Sequence, residues 1–181
     1  MIKVSNLKDW IIKDSIEVKD FKIQVDSVVL NLNQEKENIS THGDNSKQYF
    51  FDDFNKIKNI SENIQTIILK HLKEISLELL SAWTVYGEKY GYHEIHQHNP
   101  ETTNHLSSVT FLDIPSNIDK NLSGDLFFIL RNKNNELRYF RFQPKIGDLF
   151  FFPAHVFHGT FPQSEGNRQT INLDFNVKNI I

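Results

Sequence analysis

Three stretches carry residue types that could do chemistry together: His96-Gln97-His98, the run Gly147-Asp148-Leu149-Phe150-Phe151-Phe152-Pro153 leading to His158, and Arg168-Gln169-Thr170. Two histidines one residue apart on an extended strand project to the same face, so with a third from a later strand they can grip one cation through nitrogen. Arg168, ten residues beyond that third histidine, adds a fixed cationic fork. Thr170 shares its face of the strand, and a guanidinium beside a hydroxyl suits the clamping of a terminal carboxylate. The chemistry implied is oxidation at a metal with an oxoacid held beside it. His93 and Glu94 lie just upstream, Glu94 on the same alternation as His96 and His98. His155 reads as a loop side chain.

The elements that must position these residues are mostly strands. Residues 81–86, 92–98, 105–114, 125–131, 137–142, 148–152 and 168–177 read as extended, separated by Gly, Pro, Asn or Ser clusters. Pro153 closes its strand, and 154–159 reads as a loop that leaves His158 at a strand boundary. Upstream, Ile60, Ile64, Ile67, Ile68, Leu72, Ile75 and Leu79 recur on one face, and Asn59 with Glu62 can cap the start. This predicts a helix over 59–80 lying against a sheet, with Phe50, Phe51 and Phe54 packed under it or, as the alternative, covering the barrel mouth. Residues 21–33 alternate in two runs broken at Ser27-Val28, which predicts one or two strands. Residues 34–48, centred on Gly43-Asp44-Asn45, predict a loop.

Helix first and many short strands after favours a mainly β fold, a double-stranded β-helix (jelly roll) with an N-terminal helix packed on one sheet. The 181 residues are expected to form one domain, with 1–80 supporting a core at 81–181 that holds the metal site. The 15 phenylalanines suggest a core of sheet-facing aromatics.

Composition removes other classes. The chain has no cysteine, so thiolate nucleophiles, disulfides, cysteine-type zinc sites and iron–sulfur clusters are out, and a metal must sit on nitrogen and oxygen. A net charge of -3 with scattered lysines gives no basic tract for nucleic acid. The first residues lack the apolar run of a signal peptide, and no stretch approaches the ~20 apolar residues of a membrane span, so a cytoplasmic protein is expected. There is no glycine-rich phosphate loop, GxSxG elbow or Walker motif.

From Trp83 to Asn176 the chain resembles the Fe(II)/2-oxoglutarate-dependent oxygenases, and within them a small branch, of phage and marine-bacterial type, with a His-x-His near the first ligand strand. The resemblance is carried by Trp83-Thr84-Val85-Tyr86, Gly91 to His98, Leu106 to Leu112, Ser123 to Phe128, Gly147 to His158 and Arg168 to Asn176. It implies a jelly roll in which His96 and His158 hold Fe(II), Arg168 binds the distal carboxylate of 2-oxoglutarate, and Thr170 assists. It further implies oxidative decarboxylation of 2-oxoglutarate to succinate, coupled to hydroxylation of a substrate, small-molecule or peptidyl, that the sequence does not identify. Neither does the sequence indicate an oligomeric state. Specificity is expected in the loops at 34–58 and 99–104.

The usual triad of that family has an aspartate two residues after the first histidine, where this chain has His98. Two histidines and a carboxylate leave an Fe(II) site at net +1, whereas three neutral histidines leave it at +2. The reading taken is the three-histidine site, with Glu94 or Glu101 as the alternative carboxylate. A cupin is the rival: Gly91, the His-x-His, Glu101, Gly147-Asp148, Pro153 and His158 resemble its two motifs. Two gaps are one residue short, however, and a cupin has no use for Arg168 and Thr170. A metal-free jelly-roll binding protein is the third class.

Overall fold

Helical and strand periodicities compete in the first eighty residues, and burial against a sheet decides between them. The computed structural model describes residues 9–31, 45–98, 104–115 and 124–179. In chain order its elements are β1 (Ile12–Ser15), α1 (Lys19–Leu30), β2 (Ser46–Phe50), a 3-10 turn (Phe54–Ile57), α2 (Lys58–His71), β3 (Ile75–Gly87), β4 (His93–His96), β5 (His105–Asp113), β6 (Leu126–Arg131), β7 (Leu137–Phe142), β8 (Asp148–Pro153), β9 (Phe157–Thr160) and β10 (Arg168–Asn179).

The strands expected within 21–33 are a helix. Phe21 and Val25 are its buried residues, four apart on one face, and Val28 and Val29 pack against the same cluster. Lys22 donates to Asp26 at 2.8 Å across one turn. The β-branched valines favour strand locally, but helical spacing lets the segment bury one face, and that burial outweighs propensity. The loop expected around Gly43-Asp44 lies outside the described residues; Ser46, inside its expected range, already begins β2.

The helix expected over 59–80 is also shorter. α2 ends at His71, Leu72 is extended, and Glu74 adopts φ 64° to turn the chain into β3. Ile75, Leu77 and Leu79 are then half-buried between exposed neighbours. The four-residue spacing of Ile75 and Leu79 fits a helix face and also an even-numbered strand face, so periodicity alone could not separate the two.

Two antiparallel sheets follow, the arrangement expected of a double-stranded β-helix. The six-stranded sheet runs β1-β8-β5-β10-β3-β2 and the four-stranded sheet β4-β9-β6-β7. Both helices cover the outer face of the larger sheet: Phe21, Val25, Ile60, Ile64 and Ile68 meet Leu149, Phe151, Ile171, Leu173 and Phe175 in one buried cluster. Between the sheets lies a second cluster that includes Phe111, Phe128, Phe150 and Phe152. Strand β8 thus sends alternate residues to two cores, which is why it reads as an unbroken apolar run. Each buried Leu or Phe contributes about 1.5–3 kcal/mol, so these clusters supply the rigidity that holds the inner face in place.

Before β8, Gly147 sits at φ 85°, and a Cβ there would meet the carbonyl oxygen of Ile16 at 2.6 Å. Only glycine lets this turn close against β1. The expected loop at 154–159 is in part a strand: Phe157–Thr160 forms β9, paired with both β4 and β6. Its four residues include a glycine and two polar side chains, too short a pattern to read as a strand. The pairing comes from its neighbours. No helix among the described residues is long and apolar enough to cross a membrane.

Candidate metal centre

Strand β10 lies between β5 and β3 along its length and carries a polar stripe. Arg168, Thr170, Asn172 and Asp174 take one face, while Ile171, Leu173 and Phe175 join the helix-side core. The stripe faces the space between the sheets. Register sets Thr170 opposite Val85 and Phe111, and Asn172 opposite Trp83 and Val109. These residues line a pocket together with His96, His98, His158, Arg168 and Leu126.

The three histidines converge there. Their ligand nitrogens lie within 4.8 Å of one another. His96 and His158 are directly opposed across the β4–β9 pair, and His98 reaches them from just beyond β4, anchored by its backbone N–H to the Ala154 carbonyl at 2.9 Å. Each ring has its Nδ1 committed elsewhere. His96 Nδ1 lies 2.7 Å from the Glu94 carbonyl, His158 Nδ1 lies 3.0 Å from the Val156 carbonyl, and His98 Nδ1 lies 2.8 Å from the Asp174 carboxylate. All three partners only accept, so each Nδ1 carries the proton and each Nε2 presents a lone pair.

The Nε2 atoms of His96 and His98 face one another at 3.3 Å, the spacing expected of two nitrogens each about 2.1 Å from a single ion. Without a cation the two lone pairs repel. His158 is 6% exposed, and burial, followed by the fields of His96 and His98, pushes its imidazole well below the usual range. It is held neutral, as a ligand must be. Three imidazoles on a rigid frame, each oriented through its second nitrogen, therefore fit an Fe(II) ion.

Arg168 enters the same pocket. It is 4% exposed, and its Nη2 donates to Thr160 Oγ1 at 3.0 Å. Nη1 lies 3.4 Å from the Gly124 carbonyl. Among the described residues no carboxylate pairs with it. Burial lowers its pKa to about 10, so it is still a cation at neutral pH and is suited to hold an anion. Gly87 stands opposite Arg168 in register, and its missing side chain leaves room beside the guanidinium. Thr170 Oγ1 accepts from Asn172 Nδ2 at 3.2 Å.

Of the other residues singled out in the sequence, Glu94 has an exposed side chain. Between the pairs His93–Thr160 and His96–His158, two residues of β4, Glu94 and Ile95, face one of β9, Gly159. This bulge breaks the alternation that had aligned Glu94 with the pair, and Glu94 contributes its carbonyl instead. Glu101 and the 99–103 stretch lie outside the described residues. His155 pairs with Asp9 at 3.0 Å, away from the triad. His93 lines the pocket, its ring 5.0 Å from that of His96. Asp174, Ser107 and Thr160 also belong to the site, and none of them falls in the three motifs. Asp174 was legible in principle as the fourth polar residue at alternate positions from Arg168.

A family model described as "Putative 2OG-Fe(II) oxygenase" matches residues 81–176, more than half of the chain. No curated protein matches the sequence. Among solved structures, a Trichoplax adhaerens prolyl hydroxylase in complex with a hypoxia inducible factor oxygen degradation domain peptide fragment is 17% identical, with TM-score 0.64 over 96% of this chain and 86% of that one. HygX from Streptomyces hygroscopicus with nickel and 2-oxoglutarate bound is 11% identical, with TM-score 0.63 over 95% and 84%. SnoN, a non-heme alpha ketoglutarate dependent epimerase from nogalamycin biosynthesis, is 12% identical, with TM-score 0.70 over 93% and 79%. At such identities the likeness is one of fold.

Proposed function

Since the chain belongs to the 2OG-Fe(II) oxygenase family, whose cofactors are Fe(II) and 2-oxoglutarate, we propose that it is a dioxygenase that hydroxylates its substrate with Fe(II) on His96, His98 and His158. Arg168 binds the distal carboxylate of 2-oxoglutarate, and Thr170 adds a hydrogen bond. Bound there, iron and 2-oxoglutarate would supply the oxidising chemistry, the decarboxylation of 2-oxoglutarate to succinate coupled through dioxygen to hydroxylation of a substrate C–H bond.

The chain's own residues bind, orient and exclude water. The carbonyls of Glu94 and Val156 and the carboxylate of Asp174 hold the imidazoles in the ligating tautomer. Trp83, Val85, Phe111 and Leu126 wall the pocket with apolar surface, which strengthens the pairing of Arg168 with an anion. The observation that carries the reading is the buried guanidinium, without a carboxylate partner among the described residues, beside three converging histidines. A cupin has no need of that cation. The substrate is a small molecule or a peptide, a reading supported by proteins of this fold that include a complex with a peptide fragment and an epimerase from nogalamycin biosynthesis.

The test is incubation of purified protein with Fe(II), ascorbate and 2-oxoglutarate labelled at C1. Released label above the His158→Ala background supports the proposal. Metal binding without either turnover or 2-oxoglutarate binding would replace it with the cupin reading. Glu94→Ala is expected to keep the metal, whereas His98→Ala is expected to lose it.

A further inference from the structure

Of the three imidazoles, His98 is backed by an anion. His96 and His158 donate to peptide carbonyls, while His98 donates to Asp174. His98 is also the residue that occupies the position where the oxygenase pattern carries aspartate. We propose that Asp174 is a positioning residue for the metal centre: from the last core strand it supplies, through His98, the negative charge that the His96-Gln97-His98 motif leaves out of the coordination sphere. This rests on the three-histidine reading above.

The surroundings of Asp174 are built for that role. Its register partners are Ser81 on β3 and Ser107 on β5, and both turn hydroxyls to it. Ser107 Oγ donates to Oδ1 at 2.7 Å and lies 2.9 Å from His98 Nδ1; Ser81 Oγ donates to Oδ2 at 3.3 Å. The two serines fix the carboxylate from either side so that Oδ1 faces the ring. The Asp174 side chain is 16% exposed and that of His98 12%, so solvent screens the pair poorly.

Among the described residues no lysine or arginine pairs with Asp174; its ionic partner is His98. A half-buried carboxylate without a resident cation is costly. The cost is offset if a cation sits on the far side of the imidazole. The edge of Trp83 packs against His98 at 5.1 Å between ring centroids, which limits the ring to this orientation. Counting Asp174, the three-histidine set carries the same net +1 with Fe(II) as two histidines and a carboxylate, but all three of its first contacts are nitrogen.

Carboxylates behind metal-bound histidines set donor strength and orientation, and their loss commonly costs 10–100-fold in metal affinity. The probe is Co(II) alone, titrated into metal-free protein and followed by its visible d–d absorption and by calorimetry. Asp174→Asn keeps the shape and an acceptor but removes the charge. It is expected to weaken Co(II) about 10–100-fold and to shift the d–d bands, and in a His98→Ala background it is expected to add nothing. Should the asparagine variant not fold, Asp174→Ser is read the same way. Binding within twofold of wild type with unchanged bands, alongside a His98→Ala variant that does lose Co(II), would overturn the role of Asp174. If His98→Ala itself leaves Co(II) affinity and bands unchanged, the three-histidine reading falls, and this inference with it.

Discussion

Arg168→Met separates the binding role of the guanidinium from any structural one, because the two predict opposite outcomes. Burial lowers the Arg168 pKa to about 10, a shift that at 1.36 kcal/mol per pH unit corresponds to about 3 kcal/mol of disfavoured charge in the protein alone. Methionine fills a similar volume without charge. Its gain is offset by the lost hydrogen bond to Thr160, worth about 1.5–3 kcal/mol to a charged donor, while the 3.4 Å contact to Gly124 is too long to add much. Thr160 Oγ1 is not orphaned, since it still accepts from the His93 backbone N–H at 2.9 Å. Apo stability should therefore hold within about 1 kcal/mol or rise, a change of no more than about 2–4 °C in Tm for a chain of this size. Affinity for 2-oxoglutarate should behave differently. Removing one partner of a buried, hydrogen-bonded charge pair costs about 2–5 kcal/mol, or roughly 30- to 5,000-fold. Calorimetric titration of 2-oxoglutarate into Co(II)-loaded protein measures the second quantity, and thermal melting of the apo protein measures the first. An unchanged 2-oxoglutarate affinity would refute the assignment. A fall of well over 4 °C in the apo Tm would make Arg168 a structural cation and refute the energetic argument.

Gly159→Ala should damage the site through the backbone: a Cβ there would stand 2.7 Å from Phe127 Cζ, 2.9 Å from the His93 carbonyl and 3.0 Å from the Glu94 carbonyl. Overpacking of this kind costs about 1–3 kcal/mol, and because the obstructed carbonyls belong to β4, which carries His96, Co(II) affinity should fall with the Tm; unchanged affinity would mean that β4 yields freely. Tyr86→Phe should cost about 0.5–1.5 kcal/mol at pH 7, since it removes a 2.7 Å hydrogen bond to Asp26. Burial pushes the Asp26 carboxyl up, but hydrogen bonds from Lys22, Tyr86 and Gln169 outweigh it and leave the carboxyl below its usual value. The resulting stability is present above the unfolded pKa and lost as pH falls through the lowered folded one, so the deficit should shrink at pH 3 in urea unfolding. An equal deficit at both pH values would show that Asp26 is not the partner that matters.

From residue 81 onward the strands other than β9 were legible because each keeps a two-residue period or, like β8, is buried on both faces and bounded by turn residues. Upstream, the same reasoning misassigned α1 and overextended α2. Valines in α1 and a four-residue spacing shared by Ile75 and Leu79 satisfy both helix and strand, and the choice is made by which face meets the large sheet. The residues brought together in the pocket were singled out for related reasons. His96 and His98 stand two apart, and Arg168 and Thr170 share a strand face, which are relations within a single element.

What the sequence by itself determined is therefore local: donor types, nitrogen and oxygen in place of sulfur, alternation along a strand, and the order of the three motifs. Tertiary structure decided the rest, because the deciding relations join strands distant in the chain. The β4 bulge that turns Glu94 outward exists only through pairing with β9. The carboxylate behind His98 comes from a residue 76 positions later, held by serines from two other strands. No periodicity encodes such contacts. They follow from the register of β10 between β3 and β5, and that register is set by the burial of Ile171, Leu173 and Phe175 against the helices.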